Sequence, residues 1–303
     1  MINVRRIRYL LSCYTDLNNQ PHRLCDLMTL REWQLERDRP RFQDRRLIFC
    51  IHSGRVGSGF VAQLLNMADN VTACHEPRPK MNGSFLRMVE HVPTSRTNRQ
   101  RRIKIAAINR SLAVMPADHA YVETNHMFIK TFADVVLDYY ANVQVMILRR
   151  GVDQVLKSCI ELGWFSNRNP VWKLWMSLPR PGTALIEPIQ PPHELDAIDC
   201  CIAYLLEVEA QAKKFVDDHP EIQCHEVTLE QLTTPSGARQ LFEALGIAWP
   251  DEAENLLDRH VNPRQTRKRT IGHGVSLDHC RKRIESYLAR AREMGRTIPS
   301  INW

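Results

Sequence analysis

At 303 residues the chain is too long for a small disulfide-stapled scaffold and has room for one large domain or two small ones. Its 44% hydrophobic and 25% charged residues, with 12 Gly and 17 Pro, exclude disordered and fibrous classes. Lys plus Arg is 41 against 34 Asp plus Glu, a formal charge of +7, which favours anionic partners (nucleic acid, phosphorylated cofactors, acidic glycans, anionic membranes) without selecting one.

Residues 1–45 are polar and Arg-rich and read as a helical or irregular lead-in. Their apolar run stops at Leu11 and meets Ser12, Thr15 and Asp16, too short for a signal peptide, and no stretch of about 18 apolar residues follows anywhere. The nine cysteines are odd in number and form no CxxC pair, which speaks against a zinc site or a disulfide framework and for a reducing compartment. A soluble, cytoplasmic protein without a metal is the expectation.

The first strand is Leu47 to His52, an almost unbroken apolar run, and continuous apolarity predicts a strand covered on both faces, as in a parallel sheet. After SGRVGSG, the residues Phe60, Leu64, Leu65 and Met67 supply a helical stripe. The alternation continues with a strand at Val71 to Cys74, a helix at Ile103 to Val114 behind a basic cluster from Arg96 to Lys104, and a strand at Tyr121 to Thr124. A helix at Phe128 to Tyr140, a strand at Val143 to Leu148 and a helix at Val152 to Leu162 come next. Trp164 to Pro192 is rich in Pro and Trp and reads as an inserted lid or substrate loop rather than one regular element. A helix at Asp196 to Asp218, a strand at Ile222 to Val227, a helix from Ser236, a basic loop at Thr266 to Ser276 and a last helix from Leu277 complete the order. The fold class is therefore α/β, three layers around a central parallel sheet. One domain over 46–275 carries an insert at 164–195, and a C-terminal helical segment, 276–303, packs on it.

Two segments bear chemistry. His52 to Phe60 lies where a buried strand hands over to a helix, and such a turn offers backbone N–H groups and the positive end of a helix dipole to an anion. Gly54 and Gly59 have the spacing of the two Walker glycines, but Phe60 and Val61 stand where that motif needs Lys and Ser/Thr, so magnesium-dependent ATP chemistry loses its main support. Glycines alone would make only a tight turn; Arg55 adds the positive charge of an anion site. Further on, Arg149 and Arg150 end a buried strand and Ser158 follows eight residues after Arg150, at the sheet edge where open α/β sheets bind ligands. The bland alternative makes them solvated end-caps.

Taken together, GRVGSGF and the stretch from Arg150 to Ser158 resemble the two nucleotide motifs of the sulfotransferases that use 3′-phosphoadenylyl sulfate, the 5′-phosphosulfate loop and the R-x-P-x-D-x-x-x-S 3′-phosphate motif. Here Val152 replaces the proline and Asp153 comes one position early, which leaves Arg149 as a substitute for Arg150. Weaker similarities are Cys74-His75-Glu76-Pro77-Arg78, Glu123-Thr124-Asn125-His126 (like E-K-T-P-H without Lys and Pro) and Arg267-Lys268-Arg269-Thr270-Ile271-Gly272 (like R-K-G-x-x-G).

The resemblance implies a P-loop nucleoside triphosphate hydrolase-like fold and sulfuryl transfer from that nucleotide to a small-molecule, glycan or peptide acceptor, with no metal. It implies nucleotide contacts from Arg55, Val56, Gly57, Ser58, Gly59, Phe60, Arg149, Arg150, Ser158, Arg267 and Lys268, and acceptor contacts from Arg78 and Trp164. Arg55 would also act in the chemistry. The base is open among Glu76, His52, His75 and His126: residue chemistry leans to His, the resemblance to Glu76, and we take Glu76 first and His126 second. Competing readings are a P-loop kinase or NTPase, and a polyanion-binding protein using Arg96 to Lys104 and Arg264 to Arg269; without aromatic interleaving or a nucleic-acid motif, the second is disfavoured.

Overall fold

In the computed structural model, which describes residues 21–180, 182–259 and 274–298, five parallel strands form one sheet: β1 Leu47–Ile51, β2 Val71–His75, β3 Ala120–Thr124, β4 Val143–Arg149 and β5 Gln223–Thr228, in the order β2-β3-β1-β4-β5. Leu47 of β1 registers with Tyr121 on one side and Val143 on the other. Successive side chains of a strand point to opposite faces, and here both faces are buried. Ile48, Cys50, Met146 and Leu148 enter one apolar cluster, while Leu47, Phe49, Ile51, Val145 and Ile147 enter the other. That is the physical reason for the unbroken apolar pattern of β1 and β4.

The helices are α1 Pro21–Phe42, α2 Ser58–Leu65, α3 Ser84–His91, α4 Thr94–Arg101, α5 Ile103–Val114, α6 Ala133–Tyr139, α7 Val152–Glu161, α8 Ala197–Asp218, α9 Leu229–Leu232, α10 Pro235–Ala244, α11 Ala253–Arg259 and α12 Leu277–Glu293. A single π-helical turn, Phe128–Phe132, leads into α6. The N-terminal region does more than lead in: Leu35 and Phe42 of α1 are buried in the second cluster, and Tyr139 donates to the Leu35 carbonyl at 2.8 Å. At the other end, α12 buries Cys280, Ile284, Tyr287 and Leu288 in the first cluster and binds α8 through Arg283, 2.7 Å from both Asp196 and Asp199.

The Pro/Trp-rich insert holds one short 3₁₀ turn, Pro170–Leu174, and is otherwise irregular. Its backbone is fastened from outside. Gly83 N–H donates to the Leu174 carbonyl at 2.7 Å, and the buried Glu207 carboxylate of α8 accepts from Leu185 N–H at 3.2 Å and Ile186 N–H at 3.0 Å. Among the described residues no helix is long and apolar enough to cross a membrane.

The cluster from Arg96 to Lys104 does not form one exposed basic face: Arg96 and Arg99 are exposed, but others of it are not. Arg101 and Lys104 are completely buried: Arg101 pairs with Asp134, and Lys104 lies 2.6 Å from Glu123. A buried charge persists only when paired, and these two are consumed inside the fold.

Candidate active site

The carboxyl ends of all five strands open into one cavity of about 810 Å³. It is lined by Gly54, Arg55 and Gly57 to Phe60 after β1, His75 and Glu76 at β2, His126 after β3, Arg150, Gln154 and Ser158 after β4, and Leu229 and Glu230 after β5. Crossovers leave β1 on one side for β2 and cross back over it from β3 to β4, and such a reversal leaves a crevice at the carboxyl edge of the sheet.

The turn after β1 is held from below. His52 is buried, and its Nδ1 accepts from Gly54 N–H at 3.0 Å. Val56 and Phe60 plug the turn into the core, so Val56 offers a ligand only its main chain. Gly54, Arg55 and Gly57 have φ of 88°, 64° and 85°, and a non-glycine residue at positive φ such as Arg55 carries strain that clusters at functional sites. Gly57 stands at the N-cap of α2, where no side chain caps the helix, so the first-turn N–H groups and the positive dipole end face the cavity side of the turn.

The two segments that resemble nucleotide motifs meet here. Arg55 Nε donates to Ser158 Oγ at 3.1 Å, and Arg150 Nη1 approaches the Arg55 carbonyl at 3.4 Å while its Nη2 binds Gln154 at 2.7 Å. The Arg55 guanidinium also lies over the Trp164 ring, 5.8 Å from its centroid. Arg149 does not line this cavity: its Nε lies 2.8 Å from Glu209 and its Nη1 2.9 Å from Glu226, beside a neighbouring cavity that it lines together with Arg150 and Gln154. Of the two arginines left open by the sequence, only Arg150, the first residue past β4, lines this cavity. Arg267 and Lys268 lie outside the described residues.

The base candidates form one group. Glu76, itself at φ 47°, places Oε1 3.7 Å from His126 Nε2 and 3.9 Å from His75 Nε2, and Oε2 3.3 Å from Lys80 Nζ. His126 is buried and stacked on Trp175 with 5.3 Å between centroids. Burial, then the charges of Lys130, His52, His75 and Lys80, push its imidazole well below the ordinary value, so the ring is neutral at physiological pH. Burial likewise holds His52 well below its ordinary value.

The loop bearing Glu76 is pinned by a buried network that the basic pattern of the sequence concealed. Lys104 donates to the carbonyls of Pro77 at 3.3 Å and Pro79 at 3.2 Å while paired with Glu123, which also accepts from Tyr121 and Asn125, each at 2.8 Å. Held this way, the loop turns Arg78 outward: it is exposed and absent from the cavity wall, contrary to the expected acceptor contact. Lys80 comes to Glu76 in its stead and covers Trp175, 5.1 Å from the ring centroid. Sequence reasoning passed over Lys130, whose only signal was its place four residues after His126. The insert divides its aromatics: Phe165 and Trp172 pair at 4.8 Å and pack toward Tyr204, whereas Trp164 and Trp175 line the cavity.

No family model matches the sequence, and no curated protein matches it. Among solved structures, a sulfotransferase from Mycobacterium tuberculosis is 14% identical, with a TM-score of 0.48 over 86% of this chain and 82% of that one. The sulfotransferase domain from the curacin biosynthetic pathway is 14% identical, with a TM-score of 0.46 over 80% of this chain and 97% of that one. Retinol dehydratase in complex with androsterone and inactive cofactor PAP is 12% identical, with a TM-score of 0.42 over 89% of this chain and 87% of that one.

Proposed function

We propose that this chain is a sulfotransferase that moves a sulfuryl group from 3′-phosphoadenylyl sulfate to a hydroxyl or amine acceptor. The observation that carries the reading is the 3.1 Å contact from Arg55 Nε to Ser158 Oγ. It joins the glycine turn of β1 to the Arg-plus-Ser segment after β4 in one cavity, whose other wall holds Glu76 and His126. Arg55, Arg150, Ser158 and the uncapped start of α2 supply donors and positive charge for a nucleotide bearing both a phosphate and a phosphosulfate. No lysine occupies the Walker position, where Phe60 stands, so the same cavity gives a kinase or NTPase no support.

The nucleotide supplies the sulfuryl group, and the protein positions the reactants and handles charge and proton, as in phosphoryl transfer. The acceptor oxygen bonds to sulfur as the bond from sulfur to the bridging phosphate oxygen breaks, and the electron pair leaves with the phosphate. Arg55 and the first N–H groups of α2 offset that growing negative charge. The acceptor proton passes to Glu76, with His126 beside it. Trp164 and Trp175 give the acceptor two flat apolar walls.

Thermal-shift titration with adenosine 3′,5′-bisphosphate against ATP and magnesium tests the reading, because a ligand that binds only the folded state raises its stability. Selective stabilisation by the bisphosphate is expected. Stabilisation by ATP with magnesium alone would replace the reading with a nucleotide triphosphatase or kinase.

A further inference from the structure

Behind the base group sits a lysine for which the transfer reaction has no direct use. Lys130, in the π-helical turn, places Nζ 3.0 Å from His126 Nδ1, 3.3 Å from the Trp175 carbonyl and 2.5 Å from the Tyr204 hydroxyl. Tyr204 in turn donates to the Ser53 carbonyl at 2.6 Å. One amine thus touches the base group, the insert and α8, and through Tyr204 the glycine turn.

Counting donors leaves two arrangements. The Trp175 carbonyl can only accept, and the Tyr204 hydroxyl, having given its hydrogen to Ser53, also accepts. A neutral amine would spend both N–H groups on these two and turn its lone pair to Nδ1; an ammonium has a third N–H for Nδ1. The choice is made on the far side of the ring. Glu76 Oε1 lies 3.7 Å from His126 Nε2, beyond hydrogen-bond length but close enough for its negative charge to favour an N–H over a lone pair there, and with the proton on Nε2, Nδ1 is bare and Lys130 donates.

We propose that Lys130 is a positioning residue whose ammonium holds His126 neutral with its proton on Nε2, so that an N–H is aimed at the Glu76 carboxylate. This rests on the reading of Glu76 as the base of the transfer. A protonated His126 would pair with Glu76 as a full cation and weaken it as a base; the adjacent ammonium makes that second cation costly. The other charged or titratable groups facing the pair are His52 from the β1 turn, His75 and Lys80 from the β2 loop, and Cys159 from α7. Burial draws Lys130 itself down to about 7, with Glu76 and Cys159 pulling the other way.

Nitrogen-15 NMR of the histidine-labelled full chain tests the proposal without any acceptor substrate, with His126→Gln to assign the signals. At about pH 6, where an ordinary imidazole is more than half protonated, the His126 ring is expected to be neutral and protonated on Nε2. In Lys130→Met its protonation midpoint should rise by about one pH unit or more, and Lys130→Arg should restore it. The acid limb of the transferase pH profile, once an acceptor is in hand, should move with that midpoint. An imidazolium or an Nδ1–H ring in the unaltered protein overturns the proposal, even if Lys130→Met does not fold. So does a Lys130→Met midpoint equal to that of the unaltered chain. Adenosine 3′,5′-bisphosphate titration of the same samples separates the two ideas: loss of nucleotide binding with a neutral Nε2–H ring refutes the transferase and leaves the lysine lock standing.

Discussion

Alanine at Gly57 introduces two separable penalties at one atom. The residue has φ 85° and ψ 18°, a left-handed conformation costing a Cβ-bearing residue about 1–2 kcal/mol. The added Cβ would also lie 2.6 Å from Leu229 Cδ1 and 2.9 Å from Cδ2, inside van der Waals contact, and forced overpacking costs about 1–3 kcal/mol. The expected loss is therefore about 2–5 kcal/mol, a large share of a typical folding stability of about 5–15 kcal/mol. A double-mutant cycle divides it. Once Leu229→Ala removes the colliding methyls, Gly57→Ala should cost only the backbone share, about 1–2 kcal/mol. Urea denaturation of the four proteins reads the cycle, and titration with adenosine 3′,5′-bisphosphate reports whether the turn has moved off its ligand. A loss below about 0.5 kcal/mol, or an equal loss in the Leu229→Ala background, would show that the turn does not depend on this glycine for the stated reasons.

Arg55→Ala should lower turnover by about two to three powers of ten, the scale for losing one preorganised charge-stabilising donor; near-normal turnover in a sulfation assay removes it from the mechanism. Arg150→Ala should weaken adenosine 3′,5′-bisphosphate binding by about 1.5–3 kcal/mol. Arg149→Ala, whose partners are Glu209 and Glu226, should leave that affinity unchanged in the same calorimetric titration, and the reverse ranking refutes the assignment. Lys104→Met should cost about 3–5 kcal/mol in chemical denaturation because it strands the buried Glu123 carboxylate; a loss under about 1 kcal/mol would mean the network is not dry. Stability should fall on acidification. His52 and His126 titrate well below 6.5 in the folded chain, so under that pH the unfolded chain binds more protons. Each ring then removes up to about 1.4 kcal/mol per pH unit. Urea midpoints that do not fall between about pH 6.5 and pH 5 contradict this sign.

What the residues announced and what they hid follow one rule. β1 and β4 were legible because burial on both faces writes unbroken apolar runs, and the glycine turn because a strand-to-helix corner needs positive φ. α4 was not: of its residues Thr94–Arg101 only Thr97 and Arg101 are buried, so no apolar stripe marks it. Arg101 and Lys104 looked like solvated charge for the same reason, since only the fold reveals the carboxylates across from them. Whether Arg149 or Arg150 faces the cavity is decided by where β4 ends and by Glu209 and Glu226, which are distant in sequence. Glu76 and His126 were both named as base candidates, yet that they form one group with Lys80 and Lys130 depends on how the β2 loop, the π-helical turn and the insert are folded together.

Besides its buried side chains, the insert is fastened to its surroundings by its own main chain: Leu174 and Trp175 through their carbonyls, Leu185 and Ile186 through their N–H groups. Main-chain groups are the same whatever side chain they carry. Substitutions at Trp164, Val171 or Trp175 can therefore reshape the acceptor wall without cutting those four attachments, and the nucleotide half, built on β1 and β4, need not change with them. If the proposed transfer holds, the architecture separates the part that must stay constant from the part that can be rewritten, and new acceptor preferences would lie a few side-chain exchanges away.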